Sequence, residues 1–356
     1  MSRRKIAIAC QGGGSHTAFT AGAVCRLLSP EITDDIEIVG LSGTSGGAVC
    51  ASLVWSGLMS GESNPEGEAV RRLRGFWEEL EARWPLDAWI NACAVGIARM
   101  PVTAEISPYA YWPVAEWRMR ELLERHLQLE KLPSYPHFPS LPKLLIGATD
   151  IRRGEGKPFT GENLRYDHII ASAAIPPVFR AVQVDGFPYW DGLFNRNPPV
   201  REFTDIEKPD RPNEIWLIRI NPIERADEPI TMPDIIDRRN ELAGNLAVDQ
   251  ELYHIHKVNE LIADGRLAGY QHITLRQIKL EMPNLDYVSK LDRSPSLLRE
   301  LFEAGGAEAM EFFRPGSEIK GAYLTDRTKE KARDPGSDSA SEVVDAGVVR
   351  RRAGRS

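Results

Sequence analysis

The sequence predicts an α/β fold built on a mainly parallel sheet. Three observations carry that expectation. Short apolar runs of strand length recur along the chain: residues 6–10, residues 36–41, "KLLIGATDI" and "EIWLIRI". Helical patterns stand between them. The first two runs end in glycine-rich corners that open directly into helices, as connections at one edge of a parallel sheet do.

Taken in order, residues 6–10 read as a buried strand, "QGGG" as a tight loop, and "SHTAFTAGAVCRLL" as a helix that Ser15 is placed to cap. Residues 30–35 read as a turn, 36–41 as a second buried strand, 43–47 as a corner and 48–55 as a helix. "AVRRLRGFWEELEARW" is an amphipathic helix with charged faces. Residues 76–117 hold five of the eight tryptophans, Trp77, Trp84, Trp89, Trp112 and Trp117. Indole has an apolar body and a polar edge, so this stretch reads either as a lid or interfacial face, or as helices packed on the core. Within it "RMPVTAEISPYAYWP" looks irregular, "VAEWRMRELLERHLQLEKL" is helical, and "PSYPHFPSLP" is a linker.

"KLLIGATDI" is the third core strand, and "YDHIIASAAIPPVF" a short helix stopped by Pro176 and Pro177. "RAVQVDGFPYWDGLFNRNPPV" reads as a hairpin turning at Asp185–Gly186 and leading into a second glycine-bearing loop. After "EIWLIRI", residues 232–265 form one long amphipathic helix. Its apolar positions, among them Ile235, Leu242, Leu246 and Ile255, are expected to pack on the domain. "YQHITLRQIKLEM" alternates as a strand, and "SPSLLRELFEAGGAEAMEFF" is a final helix capped at Ser294. From Asp326 large apolar residues become scarce. The expectation is one domain over residues 1–325 and a disordered charged tail over 326–356.

Composition narrows the function classes. The 356 residues are 42% hydrophobic and 27% charged, so a sizeable core is expected. A net charge of −7, with no basic helix, argues against a nucleic-acid partner. Cys10, Cys25, Cys50 and Cys93 show neither metal-site nor disulfide-framework spacing, which suits reduced thiols in a cytoplasmic protein. No run approaches the roughly 18 apolar residues of a transmembrane helix, so the chain is expected to be soluble or peripheral to a membrane.

Gly43–Thr44–Ser45–Gly46–Gly47 satisfies G-x-S-x-G, which sets a serine on a strained strand-to-helix turn. Gly43 and Gly47 serve a backbone hostile to a Cβ, and they clear room for a substrate to reach Oγ. At a helix N-terminus the serine also meets free N–H groups that favour negative charge. The competing reading is a serine that merely caps the helix. Gly12, Gly13 and Gly14 form a second corner, after the first strand. Their N–H groups could hold an anion, either a phosphate or the oxyanion of an ester attacked by Ser45. Nucleotide fingerprints are broken here: Thr17 stands where a third spaced glycine belongs, and no G-K-[ST] follows.

A serine nucleophile needs a base. None of the seven histidines lies in a loop that obviously reaches a sheet edge. Asp191, in "YWDGLFNRNPP", follows an apolar element and precedes Gly192. It is either a turn former or a buried base made more basic by desolvation.

Three blocks now stand together: "GGGSHTAFTAG", "GTSGGAVCA" and "ASAAIPPVF…YWDGLFNRNPP", spanning roughly residues 5–200. In order and spacing they resemble the patatin-like phospholipase family of serine acyl hydrolases. The resemblance implies a three-layer α/β/α fold, a Ser45–Asp191 dyad and an oxyanion hole from Gly12, Gly13 and Gly14. It also implies a lipid ester substrate, with no metal or other cofactor. Two positions depart from the family pattern. His16 stands where the family usually has Arg or Lys, so its support for the oxyanion would depend on protonation. Leu193 stands where the family usually has the second glycine after the aspartate. The alternatives are an esterase acting on other esters or a storage polyester, and a weakly catalytic member that binds lipid or a partner. Head group, acyl position and oligomeric state are open.

Overall fold

The apolar runs become strands, and the helices between them carry the chain back for parallel pairing. The computed structural model describes residues 3–99, 106–176, 178–282, 285–314 and 317. Its first part runs β1 (Arg4–Cys10), α1 (Ala18–Leu27), α2 (Pro30–Thr33), β2 (Ile36–Thr44) and α3 (Gly46–Leu58). Then come α4 (Pro65–Leu80), α5 (Pro85–Ala98) and α6 (Val114–Leu127). The middle holds β3 (Lys143–Asp150), β4 (Phe159–Thr160), α7 (Tyr166–Ser172) and the hairpin β5 (Val182–Val184) and β6 (Phe187–Asp191). The last elements are β7 (Glu214–Arg219), α8 (Met232–Ala263), β8 (Thr274–Lys279) and α9 (Pro295–Phe313).

The sheet order is β5-β6-β3-β2-β1-β7-β8, with β4 also paired to β3. Strands β3, β2, β1, β7 and β8 are parallel, whereas β4, β6 and β5 join antiparallel. This is the mainly parallel α/β sheet that the sequence predicts. Period-two alternation divides β1: Ile6, Ile8 and Cys10 enter the helix-covered core with Phe19, Leu53 and Trp216. On the opposite face Gly40 has no room for a Cβ, because the Phe203 ring and the Ala7 methyl lie against it.

Register fixes the functional edge. Cys10 pairs with Gly43, Thr44 with Gly147, and Ala148 with Asp191. The glycine loop after β1, the serine corner after β2 and the end of β6 therefore meet at the carboxyl edge of the parallel strands.

Several elements differ from expectation. Ser15 caps nothing: residues 14–17 form a 3-10 turn and Thr17 takes the N-cap place of α1, because the Thr17 hydroxyl is drawn back to the Gly14 carbonyl at 2.6 Å. Residues 30–35 contain the short helix α2, which Pro30 opens. Helix α5 forms inside the tryptophan-rich stretch. Of the five clustered tryptophans only Trp77 is buried, so core packing does not account for that stretch. Helix α8 exists, and Ile255 packs inward as expected, but its first half is turned over and Ile235 is exposed. Leu242 and Leu246 are exposed, while Asp237, Glu241, Asn245 and Glu251 are buried. The inward face of that half meets cations and loop amides, whereas Val248, Leu252 and Ile255 further along are buried apolar positions. Ser294 holds the expected N-cap position of α9. Pro177 and the expected tail lie outside the described residues. Among the described residues no helix is long and apolar enough to cross a membrane.

Helices α1 and α9 cross at backbone contact. A Cβ on Gly22 would overlap the Phe302 carbonyl, and one on Gly305 the Phe19 carbonyl. Gly22→Ala or Gly305→Ala is expected to cost on the order of 1–3 kcal/mol by overpacking. Gly306→Ala, whose new methyl would meet its nearest atom at 3.8 Å, is expected to be neutral or slightly stabilising. Thermal unfolding of the three variants checks the contrast.

Candidate active site

Ser45 has φ 57° and ψ −130°, a backbone conformation costly for any residue with a Cβ. The corner enforces it. A Cβ on Gly43 would run into the Gly47 carbonyl, and one on Gly47 into the Cys10 carbonyl. The serine opens α3, and its carbonyl accepts from the Ala48 N–H at 2.9 Å. Its side chain caps nothing, which removes the capping reading. Its N–H donates to the Ser172 hydroxyl at 2.9 Å, and that hydroxyl donates to the Gly147 carbonyl at 2.6 Å. The Thr44 hydroxyl donates to the Arg196 carbonyl. Helix α7 and the segment after Asp191 thus clamp the corner on both sides.

Asp191 ends β6 and is 1% exposed. Its Oδ1 accepts from the Leu193 N–H at 2.9 Å, the turn-forming role, while Oδ2 is buried with no hydrogen-bond partner. Burial pushes its carboxyl up to about 7; the Leu193 N–H and the nearby Ser45 hydroxyl pull the other way. The hydroxyl is thus within electrostatic reach of the carboxylate, although Oδ2 makes no formed bond to it. Such looseness is common before a substrate tightens the site.

The glycine loop is held by side chains that its sequence did not reveal. The Gly12 N–H donates to Asn197 Oδ1 at 2.8 Å. Gly12 is therefore no free oxyanion donor; its absent side chain instead lets the loop lie against the Thr44 carbonyl and the Ser45 Cβ. No hydrogen bond among the described residues occupies the N–H of Gly13, Gly14 or Gly46. Gly46 follows the serine, the position that supplies an oxyanion donor in nucleophile elbows. Buried Gln11 braces the loop from below: its Oε1 accepts from the Ile220 and Asn221 N–H groups, both at 2.9 Å, and its Nε2 donates to Asn245 of α8 at 3.0 Å. Asn221 Nδ2 donates to the Gly12 carbonyl at 3.1 Å.

His16 does not supply the expected pH-dependent charge. Burial, with the Lys290 ammonium second, pushes its pKa down to about 3. Its Nε2 lies 2.8 Å from the Ser289 hydroxyl. That hydroxyl donates to the Asp286 carbonyl, so the neutral imidazole donates to it. The nearby cation is Lys290, held by Asp237 at 2.6 Å and Glu241 at 3.2 Å. No histidine of the described residues hydrogen-bonds Ser45 or Asp191. Among the described residues no cluster of three or more His, Cys, Asp or Glu stands ready for a metal ion.

The aspartate leaves a signature in stability. Its folded pKa of about 7 exceeds the ordinary 3.8, so folding is favoured by this group at low pH and loses that help as pH rises from about 4 to 7. Asp191→Asn keeps an acceptor for Leu193 and removes the buried charge. The variant is expected to be more stable than wild type at pH 8, by on the order of 1–3 kcal/mol, with the gain gone at pH 4. Chemical denaturation at both pH values reads this.

Comparison with known proteins adds the family. A model of the patatin-like phospholipase family matches residues 8–204, the span that holds the glycine loop, Ser45 and Asp191. Among solved structures, VipD from Legionella pneumophila is similar at 11% identity and TM-score 0.39, over 87% of this chain and 66% of VipD. The type III effector protein ExoU is similar at 12% identity and TM-score 0.35, over 86% of this chain and 52% of ExoU. The chain thus spans less than two thirds of either neighbour's length. No curated protein matches. With more than half of its length matched by one family model, the chain belongs to the patatin-like phospholipase family.

Proposed function

We propose that this protein is a lipid acyl hydrolase that cleaves carboxylic esters, in phospholipids or other lipids, by a Ser45–Asp191 dyad through an acyl-enzyme. One observation carries the reading: a strained, partly exposed serine beside a desolvated aspartate whose second oxygen has no partner. Asp191 takes the Ser45 proton as Oγ attacks the ester carbonyl. The oxyanion is held by the open N–H groups of Gly13 and Gly14, with Gly46 as a further donor. Asp191 returns the proton to the leaving alkoxide. It then deprotonates the water that releases the fatty acid and restores Ser45. Each N–H removed from such a hole typically costs ~3 kcal/mol of transition-state stabilisation.

The neutral His16 and the unformed Ser45–Asp191 bond favour a second reading, a weakly catalytic member that binds lipid or a partner. Intact-mass labelling with a fluorophosphonate separates the two. Wild type is expected to gain one adduct that Ser45→Ala abolishes and Asp191→Asn slows at least about 10³-fold. A folded wild type that takes no adduct would favour the binding reading.

The pH profile is a further check. Activity needs ionised Asp191, so kcat/KM is expected to rise with pH through about 7 and then level off. His16→Gln, which keeps a donor for Ser289, is expected to leave that midpoint in place. A midpoint that moves with His16 would assign the titration to the imidazole.

A further inference from the structure

Helix α5 is built inside out. Of its fourteen residues only Asn91 is buried. Asn91 Nδ2 donates to Asp292 at 2.7 Å, and Asn91 Oδ1 accepts from the Arg293 N–H at 2.9 Å. The helix's one acidic residue, Asp87, accepts from Arg293 at 2.7 Å. Polar groups thus anchor the inner side, and no charged side chain of α5 is left for the outer one. The outer side instead shows Trp89 at 65% and Ile90 at 49% exposure, with Trp84 at 78% just before the helix.

Further along the chain Trp112 is 77% exposed and Trp117, on α6, 55%. The helix and this later segment are each tied to chain that leads to the candidate site. For the helix, Arg293 follows Lys290, whose carbonyl touches Gly14. For the later segment, Tyr111 Oη donates to the Val178 carbonyl at 2.8 Å, and Arg180 Nε donates to the Pro108 carbonyl at 3.0 Å. The segment around Arg180 leads into the hairpin that ends at Asp191. The segments that bear these exposed aromatic side chains are therefore anchored to chain that reaches the carboxyl edge where Ser45 stands.

We propose that the exposed side chains of Trp84, helix α5, Trp112 and Trp117 dock the protein on a lipid bilayer and set the candidate site against it. Tryptophan and tyrosine prefer the bilayer interface because each joins an apolar ring to a hydrogen-bonding edge. Exposed apolar patches of this kind mark interaction sites on soluble proteins. Charge selects the occupant. The outer side of α5 presents no charged side chain, so it suits a zwitterionic lipid surface entered by apolar contact rather than a charged partner. The choice of occupant rests on the lipid-ester reading of the site.

The test is co-sedimentation of the full chain with phosphatidylcholine vesicles at 0.1 and 0.5 M NaCl, alongside a Trp89→Ser, Ile90→Ser, Trp112→Ser variant checked for fold by circular dichroism. Wild type is expected to bind equally at both salt concentrations, and brominated phosphatidylcholine to quench its tryptophan emission. The variant is expected to lose at least roughly tenfold in partition. Its hydrolysis of vesicle ester should fall in parallel, with hydrolysis of a dissolved short-chain ester unchanged. Binding that survives without any ester hydrolysis upholds the docking surface and removes the enzyme reading. The proposal is overturned if wild type does not bind, if the folded variant binds as well, or if 0.5 M salt abolishes binding. A wild-type dimer that the same substitutions dissociate, without vesicle binding, would reassign the surface to a second copy.

Discussion

The carboxyl edge of the sheet depends on backbones that touch where side chains would normally intervene. Gly43 lies against the Gly47 carbonyl, Gly47 against the Cys10 carbonyl, and Gly147 against the Arg196 carbonyl and the Thr44 hydroxyl. These approaches bring β1, β2, β3 and the segment after β6 within one residue's reach of each other. They also force Ser45, which does carry a Cβ, into a positive-φ conformation. The strain persists because the surroundings over-determine it: Ser172 holds the amide of Ser45, and the Thr44 hydroxyl ties the corner to Arg196. A single extra methyl at Gly43 or Gly47 would separate the segments that the rest of the site is built on.

Buried polarity is the second consequence. Asp191 sits without a charged partner, so its ionised form is costly and its basicity rises. Elsewhere burial is offset by pairing. Glu251 of α8 accepts from the Val200 N–H at 2.7 Å and from Arg196, while Asp237 and Glu241 hold Arg225 and Lys290. Breaking such a pair strands a charge, so these contacts fix geometry more than they add net stability. Through Asn245, Glu251 and Lys290 the helix α8 reaches the glycine loop and the chain that follows Asp191. The family match ends at residue 204, so this bracing comes from a part of the chain outside it.

Helix α5 and the first half of helix α8 depart from the usual amphipathic pattern for the same reason. Hydrophobic periodicity identifies an inward face only when that face meets an apolar core. The first half of helix α8 meets loop amides and cations, so its acids turn inward and Leu242 and Leu246 outward, while Leu252 and Ile255 further along are buried in the usual way. Helix α5 meets Asp292 and Arg293, so Asn91 turns inward and Trp89 outward.

The sequence by itself determined every strand but the two-residue β4, the hairpin at Asp185–Gly186 and the two glycine corners, because each is written in local composition and turn chemistry. It singled out Ser45 and Asp191 because G-x-S-x-G and an aspartate closing a strand are contiguous patterns. It could not show that the Gly12 N–H belongs to Asn197, 185 residues away, or that His16 is buried neutral against Ser289, 273 residues away. Nor could it show which faces of α5 and α8 look outward. Those outcomes turn on which distant groups share a desolvated space, and that is decided only when the sheet register and the packed segments bring them together.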